Sequence, residues 1–151
     1  MRAMSQGALP QPVFPKPANR EDVVRLLTTH GIAATEQRVR IGELLFACDQ
    51  HLTAEQIIDR LRRTGARVSK ATVYNTLNLF AGCGLVRQIN VDATRACFDS
   101  NTGAHFHVHN VDTGELHDVA LPELEFRRMP ELPPGTELAG VDIVIRVRSK
   151  T

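Results

Sequence analysis

Four helix starts follow one another in the first half of this chain, and that succession constrains the fold more than any other feature. Each start is marked by a short polar residue able to accept a bond from first-turn amides: Asn19, Thr35, Thr53 and Ser69. Behind each, apolar residues recur with a period near 3.6. The first helix is expected over 19–30, with Val23, Val24, Leu26 and Leu27 inward and Gly31 as its stop. The second starts at Thr35 and carries Val39, Ile41, Leu44, Leu45 and Phe46. The third begins at Thr53, where Thr53-x-x-Gln56 is a capping box, and runs through Ile57, Ile58 and Leu61 to Gly65. The fourth starts near Ser69, turns Val73, Leu77 and Phe80 to one side, and ends at Gly82 or Gly84.

Three short helices before a fourth with a polar face is a helix-turn-helix order. The segment "LVRQINVDATRACFDS" then predicts two strands, 85–91 and 94–98, joined at Asp92-Ala93. A hairpin at that place is the wing of a winged helix, with Arg87 and Arg95 as its cations. The remainder predicts a β-hairpin, a helical turn over 122–129, a Pro-Pro-Gly turn and a closing strand "VDIVIRVR". That strand, apolar at Val141, Ile143, Ile145 and Val147, needs a partner sheet. The fold class expected is α+β, an N-terminal winged helix-turn-helix domain followed by a small α/β domain. Residues 1–18, with four prolines, read as a flexible arm, 19–98 as the winged helix, 99–104 as a hinge and 105–151 as the second domain. In the arm, Lys16 is either a nucleic-acid contact or part of a plain tail.

The net charge of +1 conceals a division: residues 1–95 hold 13 Lys/Arg against 8 Asp/Glu, or +5, and residues 96–151 hold 5 against 9, or −4. A basic half suits a polyanion. No apolar run reaches the roughly 18 residues of a membrane span, and no secretory h-region begins the chain, so a soluble, cytoplasmic protein without a membrane partner is expected. Cys48, Cys83 and Cys97 are widely spaced, form no C-x-x-C pair and read as buried, reduced thiols.

Sequence readout in DNA requires a helix that presents short polar or aromatic groups to base edges. The fourth helix offers Ser69, Lys70, Thr72, Tyr74, Asn75 and Asn78 on the faces its apolar residues leave free. Arg38, Arg40, Arg60, Arg62, Arg63 and Arg67 on the flanking elements can supply phosphate contacts. The other reading of such a face is a solvated surface.

The stretch "HFHVHNVDTGELHD" holds four of the six histidines. If residues 112–115 form a two-residue hairpin loop, His109 faces Asp118 and His107 faces Ala120. His105, His107, His109 and Asp118 then share one face, and Phe106, Val108, Asn110 and His117 the other. Imidazoles with a carboxylate suit Fe(II), Mn(II) or Zn(II). The alternative is a strand whose histidines line its wet face.

The segments "GIAATEQRVRIGELLF", "HLTAEQIIDRL" and "SKATVYNTLNLFAGCGLVRQI" resemble the ferric uptake regulator superfamily of metal-responsive repressors. The resemblance extends over nearly all the chain after residue 20. It implies a homodimeric regulator that binds double-stranded operator DNA, with 105–151 as dimerisation and metal-sensing domain. It also implies that Tyr74 contacts DNA and Arg38 its backbone. The regulatory metal of that family lies between the domains, and its ligand motifs fall on His51, Asp99, His105, His107 and Asp118. His109 has no part in that pattern, and His30 reads as a favourable charge at a helix C-terminus.

Where many relatives carry two C-x-x-C pairs for a structural zinc, this chain has Asn110-x-x-Thr113 and no cysteine in its tail, so no four-cysteine structural zinc is expected. Together with the proline-rich 130–134 segment, this is similar to the iron response regulator branch, which senses iron or haem. The histidine cluster of that branch is here interrupted by Phe106, and no Cys-Pro haem motif is present, so Fe(II) or Mn(II), with Zn(II) in vitro, is expected and haem is the alternative. Asp118 stands where other members have glutamate, as in peroxide-sensing relatives, whose bound Fe(II) leads to oxidation of a ligand histidine. The expected function is therefore an iron-responsive regulator. The alternatives are a peroxide-sensing Fe/Mn-dependent repressor and a helix-turn-helix regulator with a vestigial metal site. A metal hydrolase is disfavoured, since no general base is placed beside the histidines, and no enzymatic activity is expected.

Overall fold

The computed structural model describes residues 15–103, 105–120, 127–139 and 141–151. Most of the expected arm, and most of the helical turn expected over 122–129, lie outside the described residues. The chain divides into two compact units, one ending at Thr102 and the other beginning its described course at Gly103. The α+β class expected from the sequence is the class observed.

The first unit runs α1 (Arg20–Thr29), α2 (Glu36–Phe46), β1 (His51–Thr53), α3 (Ala54–Arg63), α4 (Lys70–Gly82), β2 (Arg87–Asn90) and β3 (Ala96–Asp99). Each helix begins as its cap dictates. Asn19, Thr35, Thr53 and Ser69 accept from the amides of Asp22, Arg38, Gln56 and Thr72, and at Thr53 the Gln56 side chain answers in return. Each such cap contributes about 1 kcal/mol. Three helices also end alike. Gly31, Gly65 and Gly84 take φ near +75° (71°, 76° and 75°), and the amides of Ile32, Ala66 and Leu85 reach back to the carbonyls of Leu27, Leu61 and Phe80. A left-handed residue there satisfies carbonyls the helix leaves open, which only glycine does without strain.

The core is built from one stripe of each helix. Val23 and Leu27, Val39, Ile41 and Leu45, Ile57 and Leu61, and Val73, Leu77 and Phe80 are all buried, and the Phe46 and Phe80 rings meet at 5.6 Å between centroids. Val24, expected inward, is instead exposed at 36%, because on α1 it lies one step of about 100° beyond the Val23–Leu27 stripe.

Two local features differ from expectation. Strand β1 carries no sequence signal of its own, since three residues ending in a helix cap are too short for an alternation. It nevertheless forms the edge of a sheet ordered β1-β3-β2, with Leu52 buried beneath it. The wing strands are shorter than 85–91 and 94–98, because the tip folds on itself: the amide of Val91 donates to Arg95 O, and Asp92 Oδ1 accepts from the Thr94 amide and hydroxyl.

The second unit contains β4 (His105–Asn110), β5 (Leu116–Ala120) and β6 (Val144–Val147) in the order β5-β4-β6, with β4 antiparallel to β5 and parallel to β6. The closing strand expected over 141–148 forms over this shorter span. The hairpin register departs from expectation by two residues. His107, not His109, faces Asp118, His105 faces Ala120 and His109 faces Leu116. The loop is not the two-residue turn expected. The Asn110 side chain accepts from the amides of Asp112 and Thr113, Gly114 takes φ +77°, and the Asn110 amide closes on Glu115 O. An Asx turn of this kind absorbs residues 111–114. A shift of two preserves the face of every side chain, so the grouping of the histidines survives while the pairing changes. Among the described residues no helix is long and apolar enough to cross a membrane.

Gly42, inside α2, sits where α1 crosses. A Cβ there would meet Val23 Cγ1 at 2.8 Å and Phe46 Cε2 at 3.3 Å, and a β-branched valine in a helix has little freedom to yield. Gly42→Ala gains up to ~1 kcal/mol of helix propensity against an overpacking penalty of ~1–3 kcal/mol. The melting temperature followed by circular dichroism should therefore fall by about 2–4 °C; an unchanged or raised Tm would show that the α1–α2 approach is not a constraint.

Candidate metal centre and nucleic-acid interface

Pairing of β1 with β3 places His51 directly opposite Asp99. Their side chains approach to 3.4 Å, His51 Nε2 to Asp99 Oδ2, with the carboxylate fully buried. A buried carboxylate is tolerable only when its oxygens are partnered, and Asp99 Oδ1 also accepts from the Asn101 amide at 2.9 Å. Across the sheet, Arg87 stands opposite the same residue on β2.

Two residues without a sequence signal hold this pair in place. Gln50 and Ser100, the neighbours of His51 and Asp99, exchange backbone and side-chain bonds: Gln50 N to Ser100 Oγ at 3.1 Å, Ser100 N to Gln50 O at 3.1 Å, and Ser100 Oγ to Cys48 O at 2.8 Å. The Gln50 amide donates to the carbonyls of Leu44 and Leu45 at the end of α2 and accepts from Arg60 of α3. Lys16, read as a DNA contact or a tail, is engaged here instead, its Nζ 2.9 Å from Ser100 O and 2.7 Å from Asp49. Cys48, expected buried, is exposed, while Cys97 is buried and Cys83 intermediate. Burial away from water pushes the Cys97 thiol above its ordinary range.

The second unit carries its own donor set on β4 and β5. His105, His107 and His109 are 7%, 3% and 4% exposed, which removes the reading of a wet histidine face. His105 Nε2 and His107 Nε2 each lie 3.5 Å from Asp118 Oδ1, and the two rings meet edge to face at 4.6 Å. His105 Nδ1 lies 2.6 Å from Gly103 O. If that nitrogen carries the proton, Nε2 is left as a lone pair aimed at the carboxylate, the tautomer a metal ligand requires. Nitrogen and oxygen donors sharing one ion at about 2.1 Å cannot be more than about 4.2 Å apart. The 3.5 Å separations therefore fit a divalent ion. His109 shares the face but stands opposite Leu116. His117 is exposed and 3.5 Å from Glu115, and His30 Nδ1 lies 2.8 Å from Leu26 O at the end of α1.

On α4 the residues expected to read DNA divide in two. Lys70, Tyr74, Asn75 and Asn78 are exposed, and Thr72 is partly buried. Ser69 is also exposed but caps the helix and bonds Thr72 Oγ1 at 2.8 Å. Arg38 reaches back to Ala33 O at 3.1 Å. The sequence reading missed Glu55, in the first turn of α3, which accepts from Tyr74 Oη at 2.8 Å and lies 3.3 Å from Lys70 Nζ. The Tyr74 hydroxyl and the Lys70 ammonium lower the Glu55 carboxyl, and the same bond raises the Tyr74 phenol. No sequence periodicity could have found this contact, since it joins two helices across 19 residues.

A helical unit with a wing, followed by a small sheet unit whose central strand carries buried histidines beside a carboxylate, defines a winged-helix protein with donors that could hold a divalent ion. The sequence pattern of the Ferric uptake regulator family spans residues 29–144, and the chain belongs to that family. A ferric uptake regulation protein of Pseudomonas aeruginosa is 36% identical over 124 residues, 80% of this chain and 92% of the relative. A peroxide-responsive repressor of Staphylococcus saprophyticus is 32% identical over 105 residues, 70% of this chain and 71% of the relative. The solved structure of the ferric uptake regulator from Pseudomonas aeruginosa with manganese aligns with 84% of this chain and 97% of its own length, at a TM-score of 0.66 and 34% identity.

Tyr74 is the only tyrosine, so ultraviolet titration of the phenolate reports on it alone. Its midpoint should lie above tyrosine's usual value of about 10, and Glu55→Gln should bring it down. A midpoint unmoved by that substitution would mean the 2.8 Å bond is not populated in solution.

Proposed function

We propose that this chain is a dimeric, metal-responsive transcriptional regulator that binds double-stranded operator DNA through α4 and its wing. His105, His107 and Asp118 of the second unit, together with His51 and Asp99 of the first, would hold a divalent ion. The observation that carries this reading is the preset donor geometry on β4 and β5, with one carboxylate oxygen 3.5 Å from two imidazoles. Fe(II) or Mn(II) is the expected ion, Zn(II) a substitute in vitro, since mixed nitrogen and oxygen donors accept all three.

A bound ion would supply positive charge between the carboxylates of Asp99 and Asp118. The chain's own residues do the rest. Gln50 and Ser100 keep His51 against Asp99, and His105 is oriented through Gly103 O. Because the two donor sets belong to different units, holding them on one ion restricts the units' relative orientation. In a dimer that restriction sets the spacing of the two α4 helices and so couples metal affinity to DNA affinity. The dimer itself is supported by exposed apolar side chains at one edge of the second sheet, Val111, Ile145 and Val147. This patch takes the place of a cysteine-bound zinc as the source of association.

The test is a gel-shift titration with a duplex recovered by selection from a random-sequence pool, run with Fe(II), Mn(II), Zn(II) or haem and without any of them. The wild-type Kd should change between metal-free and metal-loaded states by about 5- to 150-fold, the range of ordinary coupling free energies. The double variant His105→Ala, His107→Ala should abolish that change. Metal-independent binding that survives the double variant unaltered would remove the sensor reading, and a response to haem alone would replace the divalent ion with haem.

A peroxide-sensing role is favoured by one observation, the short carboxylate of Asp118 against both histidines. Iron-loaded protein treated with peroxide should then gain an oxygen on His51 or His105 by mass spectrometry. Intact histidines under those conditions leave iron status as the signal.

A further inference from the structure

Glu55 has an ordinary explanation as a first-turn acid at the N-terminus of α3, where negative charge is favourable. That explanation does not account for where its carboxylate is spent. One oxygen, Oε1, takes the Tyr74 hydroxyl at 2.8 Å and lies 3.3 Å from the Lys70 ammonium. Both partners come from the outward face of α4, and Lys70 in turn lies 5.9 Å from the centre of the Tyr74 ring. The helix that would meet DNA thus has its one lysine and its exposed aromatic ring, Tyr74, gathered on an anion of the same chain. All three groups are open to solvent, so the contact is not a buried necessity of the core.

We propose that Glu55 acts as an internal stand-in for a DNA phosphate, holding Lys70 and Tyr74 in the free protein and suppressing binding to DNA of arbitrary sequence. A backbone phosphate and the Glu55 carboxylate are both anions seeking the same donors, so docking of α4 must displace one or bear the repulsion of both. On arbitrary DNA, phosphate contacts supply nearly all the affinity, and the opposition of Glu55 is felt in full. At a matched site, base-edge contacts offset it. Glu55 therefore sets how much base-edge contact a site must supply before α4 docks, without touching a base itself. The inference rests on the regulator reading above and adds the device that limits its non-specific binding.

The test compares Glu55→Gln with wild type, as full-length metal-loaded protein, by fluorescence anisotropy on a random-sequence duplex and on the selected duplex, across a series of salt concentrations. Glutamine keeps the size of the side chain and removes the charge. The random duplex should bind about three- to tenfold tighter, the selected duplex should gain by a similar factor, and the salt slope on the random duplex should steepen by about one, as Lys70 is released to a phosphate. In a Lys70→Gln background the gain from Glu55→Gln should disappear, which separates an action through Lys70 from a general change of surface charge. Unchanged or weaker binding to the random duplex, an unchanged salt slope, or a gain that persists without Lys70 would each overturn the proposal. Wild-type protein that binds neither duplex overturns the regulator reading and this inference with it. Wild-type binding with an indifferent Glu55→Gln overturns the inference alone.

Discussion

A pairing of three residues with four holds the first unit's donor pair together. Strand β1 is only His51–Thr53, yet its register against β3 sets His51 opposite Asp99, Leu52 opposite Phe98 and Thr53 opposite Cys97. Each of those rows has a separate consequence. The first gathers a histidine and a buried carboxylate. The second seals the helical core, Leu52 and Phe98 being 3% and 4% exposed. The third brings the chain to the cap of α3. The Gln50–Ser100 exchange at the open end of this ladder makes slippage unfavourable, because a shift by one residue would both break those bonds and turn His51 to the opposite face.

The same core that anchors β1 leaves α4 free to act. Val73, Leu77 and Phe80 are fully buried and fix the helix by apolar packing of the kind worth ~2–5 kcal/mol per large side chain. Its polar face therefore has no structural duty except at Ser69 and Thr72, which build the cap. That face is also not neutral, since Glu55 already occupies its cation and its phenol. Electrostatic complementarity in the free protein is a property of the assembled helices, not of α4 alone.

Much of the fold is legible in the sequence because its signals are local. A cap at Asn19, Thr35, Thr53 or Ser69 needs only an amide three residues on, and the glycine that ends a helix needs only its own φ. The face shared by β4 and β5 is legible for a similar reason, since alternation with the parity of the hairpin puts His105, His107, His109 and Asp118 together; the choice of His105, His107 and Asp118 among them comes from the family resemblance. The register of that hairpin was read two residues out, because the Asx turn built by Asn110 competes with the two-residue loop and its outcome depends on bonds across the loop. Val24 and Cys48, assigned inward on residue type, are exposed: hydrophobic character permits burial but does not compel it.

What the sequence by itself determined is the run of helices and of the strands from β2 onward, the face most side chains take and the chemistry of the available ligands, which follow from periodicities of 3.6 and 2 and from the donor atoms present. Only the tertiary structure decided which of those side chains meet. His51 against Asp99, Gln50 against Ser100 and Glu55 against Tyr74 join residues 48, 50 and 19 positions apart. Contacts at such separations are selected by how helices and strands pack, a cooperative outcome of burial across the whole unit that no local pattern encodes.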